Sequence, residues 1–200
     1  MTPFTVLHVC TGNICRSPMA ERLLARRVAA AYGADAGSFV LSHGAGTGNW
    51  HVGQAMNPPA ARMLRARGAV HTGFAARTLR GDLVDSSDLV LGATAEHLDF
   101  ILGLRPDAAD RSFVLGEFGR LLAGVDPSAL PPPGRDPAAV YDRATAIVAA
   151  ADTARAGRPP EPGDDLDDPW GESDAFFSRT ADQIETTLDR FMTLLTGSVS

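Results

Sequence analysis

Hydrophobic positions along this chain change period several times, and each change marks a strand or a helix. A mainly apolar run, FTVLHV from Phe4 to Val9, predicts a buried strand over Phe4–Cys10. Leu23, Leu24 and Val28 form a stripe at helical spacing, which predicts a helix from Ser17 to about Ala31 with Pro18 in its first turn. Further along, Phe39 to Ser42 reads as a strand and Pro58 to Arg67 as a helix stopped at Gly68. Asp88 to Leu91 (DLVL) reads as a buried strand, Ala95 to Leu104 as a helix, and Ser112 to Leu115 as another strand. In the last helix, about Asp174 to Thr196, Phe177, Ala181, Ile184, Leu188, Phe191 and Leu195 recur at three and four, with Gly197 placed to end it. Strand and helix alternate, so the expected fold is α/β, a doubly wound parallel sheet.

One stretch departs from that alternation. Between about Val125 and Gly163, bounded by LPPPGRDP and GRPPEPG, an alanine-rich segment predicts a helix over Ala138 to Ala156, with Asp136 as its cap and Pro137 in its first turn. We read 1–200 as a single domain with a helical insertion at about 125–163. It leads directly into DDLDDPWG, Asp164 to Gly171, so a lid, a specificity element, a partner surface and an inert addition are all compatible with it.

Composition narrows the function classes. A chain of 200 residues, 44% hydrophobic and 21% charged, can bury one sizeable core. Its formal net charge of −6 speaks against a nucleic-acid surface, and the absence of any lysine removes a Walker-type phosphate loop, which requires one. No stretch approaches a membrane span and Met1 to Val9 lacks the features of a secretory leader, so a cytoplasmic protein with no membrane partner is expected. The two cysteines, Cys10 and Cys15, lie too close in one loop to staple a fold, and the five histidines have no ligand spacing with them, so no metal site is expected.

The chemistry concentrates in CTGNICRSP, Cys10 to Pro18, directly after the first strand. Amides of Thr11 to Arg16 precede a helix and lack carbonyl partners four residues back. Curled, they converge at the positive end of the helix dipole, where tetrahedral oxyanions bind. Gly12 and Asn13 tolerate the backbone angles that a tight curl needs. Arg16 adds a forked permanent charge, and an electropositive nest favours a thiolate over a thiol at Cys10. Ser17 either donates its hydroxyl to that sulfur or caps the helix.

This run, CTGNICRSPMAE, resembles the signature loop of the low-molecular-weight protein tyrosine phosphatases. The resemblance implies four parallel strands in the order 2-1-3-4 with helices on both faces and the phosphate-binding loop after strand 1. It implies hydrolysis of phosphotyrosine in proteins through a cysteinyl-phosphate, releasing inorganic phosphate, with no metal or cofactor. Cys10 is then the nucleophile and Arg16 the clamp, with Thr11, Gly12, Asn13, Ile14, Cys15 and Ser17 lining the phosphate site. Family members carry a general acid in an Asp-Pro-aromatic motif before the final helix, which Asp168, Pro169 and Trp170 match. Trp50, in GTGNWHVG, falls where the family places an aromatic wall for the substrate ring, and Trp170 is a candidate for the opposite wall. Cys15 matches a family cysteine that pairs reversibly with the nucleophile; packing beneath the loop is the alternative.

Departures from the family pattern are visible too. The histidine that braces the loop corresponds to Phe74 in GFAART, which predicts a reorganised network around Asn13, Ser17 and Ser42, and Thr94 stands where an aspartate is common. Some relatives with an Asp-Pro-aromatic-Gly loop prefer phosphoarginine, but those carry threonine at the position of Ile14. Arsenate reduction would need additional cysteines. A non-catalytic phosphotyrosine-binding module is the alternative from another class.

Overall fold

The computed structural model describes residues 2–197; Met1 and residues 198–200, at the ends of the domain read from the sequence, lie outside the described residues. In chain order the elements are β1 (Phe4–Cys10), α1 (Arg16–Tyr32), β2 (Val40–Gly46), α2 (Pro58–Ala66), α3 (Gly81–Asp85), β3 (Leu89–Gly92), α4 (Ala95–Leu104), β4 (Ser112–Val114), α5 (Leu115–Leu122), α6 (Pro137–Arg155) and α7 (Asp174–Thr196). The four strands form one parallel sheet in the order β2-β1-β3-β4. Both faces of β1 are covered: Phe4, Val6 and Cys10 belong to the larger core, while Leu7 and Val9 join Val90, Ile101 and Ala108 on the other side. That double burial is why apolar side chains stand on both faces of the strand instead of alternating with polar ones.

On the larger core, α7 buries the whole predicted stripe from Phe177 to Leu195. Ser173 accepts from the Phe176 amide at its start, and Gly197 ends it at φ 69°. In α6, Asp136 caps the helix by accepting from Ala139, and Val140, Ala144, Ile147 and Ala151 face the same core.

Several elements differ from expectation. Strand β2 begins at Val40 and continues past Ser42 to Gly46, because β1 pairs with it in register up to Cys10 opposite Gly46. Its last residues, Gly-Ala-Gly, carry no hydrophobic signal, and only the pairing reveals them. Leu115 is not strand but the start of α5, where the Glu117 carboxylate accepts from the Val114 amide at 3.0 Å. Helix α3 has no counterpart in the sequence reading.

Candidate active site

Residues 11–15 leave β1 at its carboxyl end and enter α1, and four carbonyls along residues 10–15 are tied by backbone amides. The Cys10 carbonyl accepts from Thr47 at 2.9 Å, Thr11 from Gly48 at 2.9 Å, Ile14 from Asn57 at 2.8 Å and Cys15 from Met19 at 3.2 Å. Every peptide here is trans, so each tied carbonyl turns the following N–H the opposite way, into the curl. Among the described residues, no acceptor takes the amides of residues 11–15. Asn13 adopts φ 53°, the left-handed angle the curl requires. Gly46 allows the close approach of β2: a Cβ there would stand 2.8 Å from the Thr11 carbonyl oxygen.

The direction of each proton in the floor of the curl follows from its neighbours. The Arg77 amide donates to Asn13 Oδ1 at 3.0 Å, which fixes the Asn13 amide so that Nδ2 donates to Ser17 Oγ at 2.8 Å. Ser17 thus accepts from Asn13, and its own hydroxyl hydrogen is left to donate to Cys10 Sγ, 3.0 Å away. This settles the two roles open for Ser17: it lies inside α1, whose first residue is Arg16, and it does not cap the helix. Contrary to expectation, Ser42 does not bond Asn13 or Ser17; its hydroxyl meets His8 Nε2 at 3.2 Å. Phe74 carries the Arg22 guanidinium 5.9 Å from its ring centroid, and the brace on Asn13 is a backbone amide. Cys15 is buried, accepts from Asn57 Nδ2 at 3.4 Å, and burial pushes its thiol up to about 12.

Arg16 is 5% exposed. Its Nη1 donates to the Leu166 carbonyl at 3.3 Å, and its Nη2 donates to Thr11 Oγ1 at 3.3 Å and to Asp168 Oδ2 at 2.9 Å. Arg16 Nε is buried with no partner in the protein. Asp168 also accepts from the Trp170 amide at 3.1 Å through Oδ1.

Cys10, Thr11, Gly12, Ile14, Cys15, Arg16, Asp168, Trp50 and Trp170 line one cavity of about 410 Å³; Asn13 and Ser17 lie beneath it. His51, which the sequence reading passed over, stands between the two indoles, 6.2 Å from the Trp50 centroid and 5.7 Å from that of Trp170. Its adjacency to Trp50 was the available signal. A second unanticipated residue is His97, with Nε2 3.0 Å from Thr11 Oγ1 and Nδ1 2.6 Å from Thr94 Oγ1. Burial, then the charge of Arg16, lower its pKa to about 4, so it is a neutral ring at pH 7. Thr94, where relatives carry aspartate, holds that ring. Among the described residues, no cluster of histidine, cysteine, aspartate or glutamate could hold a metal, and no helix is long and apolar enough to cross a membrane.

Residues 5–128 match the family model for low molecular weight phosphotyrosine protein phosphatase. The low molecular weight protein-tyrosine-phosphatase of Streptomyces coelicolor is 38% identical over 125 residues, 62% of this chain and 71% of that protein. Low molecular weight protein-tyrosine phosphatase A of Mycobacterium tuberculosis is 40% identical over 107 residues, 54% of this chain and 63% of its own length. Among solved structures, the YwlE arginine phosphatase of Geobacillus stearothermophilus superposes with a TM-score of 0.64 at 25% identity, covering 95% of this chain and 91% of that one. The segment that carries Asp168 lies beyond the residues matched by the family model.

Proposed function

Because this chain belongs to the low molecular weight phosphotyrosine protein phosphatase family, we propose that it hydrolyses phosphotyrosine in proteins through a cysteinyl-phosphate at Cys10. The observation that carries the reading is the set of loop amides at residues 11–15 with no protein acceptor, beside the unpartnered Arg16 Nε. A tetrahedral dianion supplies acceptors for those donors.

The Cys10 thiolate, held by the Ser17 hydroxyl, attacks phosphorus in line. The S–P bond forms as the P–O bond to the phenol breaks, and Asp168 gives its proton to the departing oxygen. The loop amides and Arg16 hold the three equatorial oxygens as charge spreads onto them. Asp168, now ionised, takes a proton from water as that water attacks phosphorus; the S–P bond breaks, and inorganic phosphate leaves. Trp50, His51 and Trp170 flank the cavity mouth, a depth and an aromatic lining that suit a phenyl ring. Ile14 favours the tyrosine ester over phosphoarginine: it is 6% exposed and presents an apolar side chain to the cavity.

Residues 125–163, with α6, are proposed as an addition within one phosphatase domain, supported by the α6 face that shares the main core. Two free cysteines in the loop suit a reducing cytoplasm.

Phosphotyrosine peptide, phosphoarginine and a generic aryl phosphate assayed side by side test the reading. Turnover of the two aryl esters is expected, abolished in Cys10→Ser while phosphate still binds. Substantial turnover by Cys10→Ser refutes the nucleophile, a preference for phosphoarginine refutes the substrate class, and binding without turnover leaves a recognition module.

A further inference from the structure

Resting on Asp168 as the acid, we propose that Arg120, Asp164 and Gly116 form a clamp by which α5 positions the Asp168 loop. Residues 166–169 have no regular structure, so nothing in their own backbone fixes where Asp168 stands. The segment is held from outside. Asp164 is a buried carboxylate, 4% exposed, gripped bidentately: Arg120 Nε donates to Oδ1 at 3.0 Å and Nη2 to Oδ2 at 2.7 Å. The Glu161 amide adds a third bond to Oδ2 at 2.7 Å, and Glu161 also pairs with Arg120 at 3.1 Å.

A second contact is independent of charge. Gly116, in the first turn of α5, lies so close to the same segment that a Cβ would stand 2.3 Å from the Asp164 carbonyl oxygen and 3.0 Å from its carbon. Backbone therefore packs on backbone, and only glycine permits it. Beyond Asp164, Asp165 accepts from the Ala95 amide at 2.8 Å, and Leu166 donates to the Ala93 carbonyl at 2.8 Å. The Leu166 carbonyl accepts from Arg16, and two residues later Asp168 meets the same guanidinium. A rigid line thus runs from α5 to the carboxyl that must meet the leaving oxygen. None of Gly116, Arg120 and Asp164 lines the catalytic cavity, so they act on chemistry only through the loop.

Displacing an acid impairs the substrate whose leaving oxygen most needs a proton. Phenyl phosphate releases a strongly basic phenolate, whereas p-nitrophenyl phosphate releases a weakly basic one. In Gly116→Ala, which changes no charge, kcat/KM for phenyl phosphate, which ends at the S–P bond-forming step and excludes the hydrolysis both esters share, should fall about tenfold or more, because small misplacements of a catalytic group cost that much. For p-nitrophenyl phosphate kcat/KM should stay within about threefold, with inhibition by inorganic phosphate unchanged. Asp164→Asn should show the same bias, Arg120→Lys a weaker one since it keeps the charge and loses the fork, and Asp168→Asn a larger one.

Equal losses of kcat/KM on both esters in folded Gly116→Ala and Asp164→Asn, or no loss on either, overturn the clamp. Should Gly116→Ala fail to fold, Asp164→Asn decides alone. A wild type that turns over neither ester refutes the hydrolase reading separately. The clamp is then read from the indole N–H resonance of Trp170, which Asp164→Asn must shift; an unmoved resonance overturns it.

Discussion

Replacing His8 with Phe should make the protein less sensitive to acid. His8 sits on the central strand, 1% exposed, with Nδ1 buried and without a partner, and burial, then the neighbouring His43, lower its pKa from 6.5 to about 3. A histidine whose pKa is lowered by folding is protonated more readily in the unfolded chain. Stability is therefore whole above pH 6.5 and is lost progressively as pH falls toward 3. At pH 5 the unfolded imidazole is 1.5 pH units below its own pKa while the folded one stays neutral, which costs about 2 kcal/mol at about 1.4 kcal/mol per unit. That is a large share of the roughly 5–15 kcal/mol typical of a domain. With a urea m-value of about 2–3 kcal/mol/M, it moves the midpoint by about 0.7–1 M.

The assay is urea unfolding of wild type and His8→Phe at pH 7.5 and pH 5. Any packing cost of Phe applies equally at both pH values, so it cancels in the difference. His43 and His97, each lowered to about 4, keep contributing with the same sign in both proteins. Glu21 and Glu117, raised by burial, oppose them, again in both. The pH-dependent loss should be smaller in His8→Phe by about 2 kcal/mol. Equal losses in the two proteins would refute the assignment of acid sensitivity to this buried ring.

Two further substitutions probe the loop. Ser17→Ala removes the hydrogen bond to the sulfur that the proposed mechanism uses as nucleophile, worth about 1.5–3 kcal/mol to a charged acceptor, so kcat/KM should fall about 10- to 100-fold and alkylation of Cys10 by iodoacetamide should slow; an unchanged alkylation rate shows that the hydroxyl points elsewhere. Gly46→Ala drives a methyl into the Thr11 carbonyl and within 3.0 Å of the Asn13 amide, so phosphate affinity should drop more than about tenfold, and calorimetry showing native affinity would contradict the packed loop.

How far the chain was legible depends on the range of the interactions involved. The curl of residues 10–17 was readable because its parts are covalent neighbours: glycine and asparagine set the backbone angles, and the helix that follows leaves amides without partners. The stripe of α7 and the double-sided apolar run of β1 were readable for the same reason, since periodicity is a local property. Strand order came from the family resemblance, because hydrophobic alternation does not encode which strand lies beside which. The end of β2 and the start of α5 escaped because small residues there are specified by a partner strand and by a carboxylate on a backbone amide.

The sequence by itself therefore determined the nest, its sulfur and its guanidinium. Only the tertiary structure decided that Asp168, 152 positions from Arg16, stands 2.9 Å from it. It also decided that the Arg77 amide braces Asn13, and that His97 is wired to Thr11. Those pairings are made by packing faces that have no linear spacing, and a chain records them only once its core has closed.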